Sequence, residues 1–184
     1  MTTQRERALD AAIELLGTQG LKALTHRRVD QQADLPPGST SNYFRTRDAL
    51  LIGVAEAIPE RELRGARGSV AISSVDDLVA LLAGMIDQTT HENRTMTAAR
   101  LVLFVEASHH QGLREAIWRG RGAMAGFLEP VLQGLGARDP KVAAATLMAC
   151  AEGVILHRVA RGDETDVRPL IELVTRGALL DSAG

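Results

Sequence analysis

The chain has 184 residues, 45% of them hydrophobic and only 3% aromatic, with 21 Lys and Arg against 23 Asp and Glu for a net charge of −2. That length allows one compact domain or two small ones burying about 70% of the unfolded surface, and the near-neutral balance argues against a protein that coats nucleic acid through bulk positive charge. A single cysteine, Cys150, excludes an internal disulfide framework and a cysteine-based zinc site, and it suits a reducing compartment.

Met1 is followed by the polar run TTQRER, so no secretory signal is expected, and no stretch of about 18 uncharged apolar residues predicts a membrane span. A first helix opens at Thr3 with Glu6 in a T-x-x-E capping box, carries Leu9, Ala12, Ile13 and Leu16 on one face, and stops between Gly17 and Gly20. A second is expected from Thr25 to Ala33. Thr25 supplies the cap, Val29 and Ala33 face inward, and the small Ala33 lets a following helix cross closely. In the turn Asp34-Leu35-Pro36-Pro37-Gly38, Asp34 can take the left-handed conformation, Leu35 fills the core and the prolines stop the helix. A third short helix, Gly38 to Phe44, then offers Ser39, Thr40, Ser41, Asn42 and Tyr43, short hydrogen-bonding side chains suited to base edges and phosphates, while Phe44 plugs the core. Two amphipathic helices across a tight turn form a helix-turn-helix. From Lys22 to Arg47 five cationic residues face only Asp30 and Asp34, a local charge of +3 that Arg27, Arg28, Arg45 and Arg47 dominate.

A fourth helix, capped by Thr46, carries Leu50, Leu51, Val54 and Ile58 and is expected to bend or end at Pro59. The Gly- and Ser-rich stretch from Arg64 to Ser74 reads as a loop. Ser74 with Asp77 opens a fifth helix, a sixth runs from about Asn93 to His110, and a seventh starts near Leu113 and breaks near Pro130. Asp139-Pro140 starts an eighth helix and Asp166 with Pro169 a ninth, ending near Leu180. No segment sustains strand periodicity, so the fold class is all-α with about nine helices. The eighth helix is apolar on nearly all sides between Val142 and Val159, and the ninth adds Leu170, Ile171, Leu173 and Val174. That is more apolar surface than one domain face needs, and it points to a homodimer through the last two helices.

Residues 5 to 58 resemble the N-terminal domain of the TetR family of bacterial transcriptional regulators. The matching segments are Gly20 to Thr25, Arg28 to Ala33, Pro37-Gly38-Ser39 and Tyr43 to Leu51. Three positions depart from the pattern: Asp34 stands where Gly is frequent, Pro36 replaces the usual Ser cap of the recognition helix, and Ser41 occupies a place where an aromatic is common. The resemblance implies a helix-turn-helix DNA-binding domain over residues 1–46 and a ligand-binding and dimerisation bundle over 47–184. It assigns Ser39, Thr40, Asn42 and Tyr43 to the groove and Thr25, Arg28, Arg45 and Arg47 to phosphates, with Arg27, Pro37, Gly38 and Ser41 completing the DNA-binding set. It also implies a small-molecule effector, for which Leu82, Met85, Ile86, Leu101, Phe104, Trp118, Met124 and Phe127 are the apolar candidates and His91, Arg100, Glu106, His109 and His157 the polar ones.

The expected function is a cytoplasmic, sequence-specific repressor that a small molecule releases from a palindromic operator. Two alternatives stay open: an architectural DNA-binding factor with no effector, and a helical ligand carrier or enzyme whose helix-turn-helix is silent. No cofactor, metal or membrane partner is expected, and no enzyme activity. His109-His110 are adjacent, so on a helix they point about 100° apart, which is unsuited to a shared metal. No phosphate-binding glycine loop, nucleophile elbow or H-E-x-x-H motif occurs.

Overall fold

The computed structural model describes residues 2–66 and 72–180. Among the described residues there are nine α-helices and no strand, an all-α fold with the helix-turn-helix near its N-terminus. The helices are α1 (Gln4–Gln19), α2 (His26–Gln32), α3 (Ser39–Tyr43), α4 (Arg47–Ala66), α5 (Val75–Thr90), α6 (Arg94–Glu106), α7 (Gln111–Gly134), α8 (Pro140–Arg161) and α9 (Arg168–Leu180), with a short 3-10 turn at Leu21–Ala23.

Local chemistry sets most of the starts. Thr3 with Glu6 and Ser74 with Asp77 form reciprocal capping boxes, and Asp139 caps α8 ahead of Pro140 in its first turn. The Thr46 hydroxyl accepts from the Ala49 amide at 3.0 Å at the start of α4. α7 begins earlier than expected, and the His110 ring accepts from the Leu113 amide at 3.1 Å in its first turn.

α4 does not end at Pro59 but runs on to Ala66, and the break expected near Pro130 is corrected, since α7 continues through it to Gly134. Proline costs a helix one hydrogen bond and a steric adjustment, but tertiary packing holds both helices through it. Ala57 and Ile58 precede Pro59 in the core, and Gly120 of α7 accepts its ring so closely that an added Cβ would lie 2.6 Å from the proline Cγ. Around Pro130, Leu128 and Leu132 are both buried. Of the loop expected from Arg64 to Ser74, the first three residues are thus helical, and residues 67–71 lie outside the described residues.

The chain packs as two compact units, Met1–Glu62 with Arg94–Arg121, and Leu63–Asn93 with Gly122–Gly184. Packing therefore does not follow a cut after residue 46. In the first unit Leu50, Leu51, Val54 and Ile58 of α4, Ala99 and Leu103 of α6, and Leu113 and Ala116 of α7 share one core with Leu9, Ala12, Leu16 and Val29. α1 and α6 approach closely at Gly17, where an added Cβ would overlap the carbonyl oxygen of Thr95 and lie 2.8 Å from its Cγ2.

The second unit packs α5, α8, α9 and the end of α7 around Leu78, Leu128, Leu132, Ala144 and Leu147, with Val79, Ile86, Ile155, Val167 and Ile171 forming an adjoining cluster. Arg158 is buried there and compensated: it donates to Asp87 at 2.5 Å, to the Thr90 hydroxyl at 3.2 Å and to the Thr165 carbonyl at 2.9 Å. By length and composition alone α8 is long and apolar enough to cross a membrane, but Lys141, Glu152, Arg158 and Arg161 interrupt its apolar run, and Ala143, Ala144, Leu147, Met148 and Ile155 are buried within the second unit.

Candidate nucleic-acid interface

The helix-turn-helix is assembled from the inside. Val29 of α2, Leu35 of the turn and Phe44 just after α3 are buried in the first unit's core. Phe44 fits against α4 at Gly53, where an added Cβ would lie 2.5 Å from its Cε1, and the Arg5 guanidinium stands 5.4 Å above the ring. The His26 ring meets the Phe44 carbonyl at 2.6 Å, tying the start of α2 to the end of α3. Arg7 of α1 donates to the carbonyls of Ala33 and Asp34 at 2.6 and 2.8 Å, bracing the turn from behind. Asp34 is the one described non-glycine residue with positive φ, at 50°, and Gly38 follows at 90°. Those two left-handed residues reverse the chain between α2 and α3.

α3 has no cap of its own. Gly38 precedes it with no side chain to accept a hydrogen bond, and Pro36 stands where a serine would have served. Asp30 of α2 supplies the acceptor instead. One carboxylate oxygen accepts from the Gly38 amide at 2.7 Å, and the other accepts from the Thr40 amide at 2.8 Å and the Thr40 hydroxyl at 2.5 Å. Burial pushes the Asp30 carboxyl up, but the Thr40 hydroxyl, the two amides and the nearby His26 charge outweigh it and hold the group below its ordinary range. In the sequence Asp30 shows itself only as one of two acids in a basic stretch and as part of the Arg28 to Ala33 resemblance. The available signal was an uncapped short helix that needed an acceptor from elsewhere.

This network commits two of the groove candidates to contacts within the chain. Thr40 is fully buried with its hydroxyl committed to Asp30, and Ser39 is buried with its hydroxyl donating to the Pro36 carbonyl at 2.7 Å. Neither side chain faces solvent. Ser41, Asn42 and Tyr43 are exposed, as are Pro37 and Gly38. The Ser41 hydroxyl donates to the Gly38 carbonyl at 2.7 Å and the Tyr43 hydroxyl reaches Gln4 at 3.4 Å. Thr25 accepts from the Arg28 amide at 3.3 Å, capping α2, and the Arg28 guanidinium donates to Gln19. Arg47 donates to the carbonyls of Leu24 at 3.2 Å and Leu21 at 2.9 Å, so much of its donor capacity holds the fold. Among the described residues Arg27 and Arg45 are exposed cations with no side-chain partner in the chain.

The apolar effector candidates divide between the two units. Leu101, Phe104 and Trp118 belong to the first, where Trp118 is 66% exposed; Leu82, Met85, Ile86, Met124 and Phe127 belong to the second, where Ile86 is committed to the core. Of the polar candidates, His91, His109 and His157 are exposed and Glu106 is half-buried. Arg100 stands out: it lies 3.7 Å from Glu62 and 5.9 Å from the Phe104 ring centre. Glu62 was not anticipated, because α4 was expected to bend or end at Pro59. Its Oε1 and the Arg100 Nε are buried without hydrogen-bond partners, and burial, only partly offset by Arg100, raises the Glu62 carboxyl above its ordinary range. The second unit also carries an open cleft of about 420 Å³ beside Glu129, Pro130, Gln133, Arg138 and Lys141, which includes none of the expected effector residues. No group of three or more His, Cys, Asp or Glu among the described residues could hold a metal.

Comparison with known proteins agrees with this architecture at both ends. Residues 8–54 match the family described as bacterial regulatory proteins, tetR family, and residues 73–180 match the tetracyclin repressor-like C-terminal domain. An uncharacterized HTH-type transcriptional regulator in the dhlA 5' region of Xanthobacter autotrophicus is 43% identical over 56 residues, 30% of this chain and 28% of that protein. A TetR-family member from Streptomyces coelicolor A3 is 27% identical with a TM-score of 0.77, covering 95% of this chain and 98% of its own. The multidrug binding protein EbrR, in complex with imidazole, is 26% identical with a TM-score of 0.74, covering 96% and 89%. With both segments matched, the chain belongs to the TetR family of transcriptional regulators and is a DNA-binding regulator of that fold.

Proposed function

We propose that the protein is a cytoplasmic homodimeric repressor that reads a near-palindromic operator through α3, leaves it when a small molecule binds, and catalyses no reaction. The observation that carries this reading is the exposed face Ser41-Asn42-Tyr43, uncharged and flanked by the exposed cations Arg27 and Arg45. Short polar side chains suit base edges, and guanidinium groups beside them suit phosphates. In this proposal residues 1–46 read DNA, while 47–184 bind the effector and the second subunit.

Dimerisation is supported by what α8 and α9 leave uncovered. On α8, Val142, Ala145, Ala149, Gly153, Leu156 and Ala160 are exposed at helical spacing opposite the packed face, and on α9 Leu170, Leu173 and Gly177 continue the pattern. Small residues along such a stripe let two helices approach closely, and a two-fold pairing of both helices would bury it. Two recognition helices about 34 Å apart would then enter successive major grooves. Effector release is supported by kinship with EbrR, described as a multidrug binding protein, and by the unpartnered polar atoms of Glu62 and Arg100.

The test is enrichment of a random duplex pool on the purified protein at physiological salt. One near-palindromic sequence, bound by a dimer with steep salt dependence, is the expected result. Many dispersed sequences would replace the repressor reading with an architectural one, and no enrichment by folded dimer would refute DNA reading through α3.

A further inference from the structure

We infer that Asp30 is the positioning residue for base reading: its buried carboxylate, reaching from α2, fixes the first turn of α3 and so sets how Ser41 and Asn42 meet the groove. This rests on α3 being the groove-reading helix. A five-residue helix cannot hold itself, since its nucleation cost exceeds what one turn of hydrogen bonds returns. Its first amides have no partner within the helix. Here Gly38 offers no side chain, and Pro36 and Pro37 have no amides to contribute.

Asp30 closes that gap with both oxygens. Its hydrogen bonds to the Gly38 amide, the Thr40 amide and the Thr40 hydroxyl lie on either side of Ser39 and fix both the start and the rotation of α3. The carboxylate is itself fixed: its neighbour Val29 is fully buried, Thr25 caps α2, and His26 holds the Phe44 carbonyl at the far end of α3. The recognition turn is thereby referenced to the core through α2. With the Thr40 hydroxyl held by Asp30 and the Ser39 hydroxyl by the Pro36 carbonyl, Ser41 and Asn42 are left as the exposed hydrogen-bonding side chains of the next half-turn.

Phosphate contact does not need this precision. Arg27 and Arg45 lie outside α3 and act through charge, which is tolerant of small displacements, whereas base contacts require aligned donors and acceptors. Asp30 should therefore control specific binding far more than nonspecific binding. Replacing it by Asn preserves shape but turns one acceptor into a donor. Whichever way the amide lies, its NH2 group faces an N–H of Gly38 or Thr40.

The experiment measures affinity of the full-length protein for its enriched duplex and for a scrambled duplex of equal length, at a temperature where circular dichroism shows each variant folded. For D30N the expected result is a loss of about tenfold or more on the enriched duplex, with scrambled-duplex affinity within about twofold of wild type and an unchanged salt slope. Equal losses on both duplexes, or no loss on either, would overturn the inference. If D30N does not fold, T40V removes the hydroxyl donor alone and should lower the specific-to-scrambled ratio by about threefold or more; an unchanged ratio would overturn it equally. N42A separates the two readings. If N42A leaves the enriched site unaltered, reading through α3 fails; if N42A changes base preference and D30N does not, only the role of Asp30 fails.

Discussion

Replacing Gly17 by alanine tests the packing of α1 on α6. In an exposed helix interior the change would stabilise by about 1 kcal/mol through helix propensity. Here the new Cβ overlaps the Thr95 carbonyl oxygen and sits 2.9 Å from its carbonyl carbon. Those are backbone atoms, which no side-chain rotation can remove, so α1 and α6 must part by about 1 Å to restore contact distance. Separation loosens the neighbouring Leu16 and Ala99, both fully buried. Overpacking of this kind costs about 3 kcal/mol, and with the propensity gain subtracted the net loss is about 2 kcal/mol. For a chain of this size that lowers the melting temperature by about 4 to 8 °C. The assay is a thermal melt of G17A beside G84A, because Gly84 of α5 is exposed and an added Cβ there meets nothing within 4 Å. G84A should melt about 2 to 4 °C above wild type. A G17A protein that melts with or above wild type while G84A rises would refute the claim that this approach needs glycine.

Four further outcomes are expected. In E62Q, stability should exceed wild type at neutral and alkaline pH, with the gap closing toward acid: burial raises the Glu62 carboxyl, so its contribution to the wild type is complete below the ordinary carboxylate range and is lost as pH rises through the shifted value; denaturant midpoints across pH measure it. F44A should lose about 3 to 5 kcal/mol, because the buried ring leaves a cavity against Gly53, and chemical denaturation reads this directly. R45A should reduce the salt slope of DNA binding by about one with an unchanged melt, whereas R47A should also cost about 1 kcal/mol of stability through its two lost carbonyl partners. L173E, at a position 73% exposed, should leave the monomer folded and shift sedimentation from dimer to monomer.

Where structure depends on neighbours in sequence, it was legible. The capping pairs Thr3 with Glu6 and Ser74 with Asp77, the Asp139-Pro140 start and the left-handed Asp34 each involve residues within a turn of one another. Val29, Leu35 and Phe44 were legible as core from local position: Val29 on the inner face of α2, Leu35 as the apolar residue of a polar, proline-bearing turn, and Phe44 as the large apolar side chain that follows the polar run of α3. The failures share a different cause. Thr40 reads as an exposed polar residue until Asp30, ten positions earlier, is folded against it. Pro59 and Pro130 read as breaks because proline propensity is local, while Gly120 and the pair Leu128 and Leu132 act from outside or across the break. Glu62 was missed with Pro59, since α4 was expected to bend or end there and only a helix that runs on past it carries Glu62 to Arg100.

The clamp from Asp30 also bears on protein engineering. A transplant of residues 38–44 into another scaffold would carry the exposed letters Ser41, Asn42 and Tyr43 but leave behind the carboxylate that orients them. The shortest stretch that carries both that face and its clamp runs from Thr25 to Phe44, and it still needs Arg7 of α1 behind the turn and Gly53 of α4 beneath Phe44. A library that varies the exposed face of α3 should keep positions 30 and 40 as a matched pair.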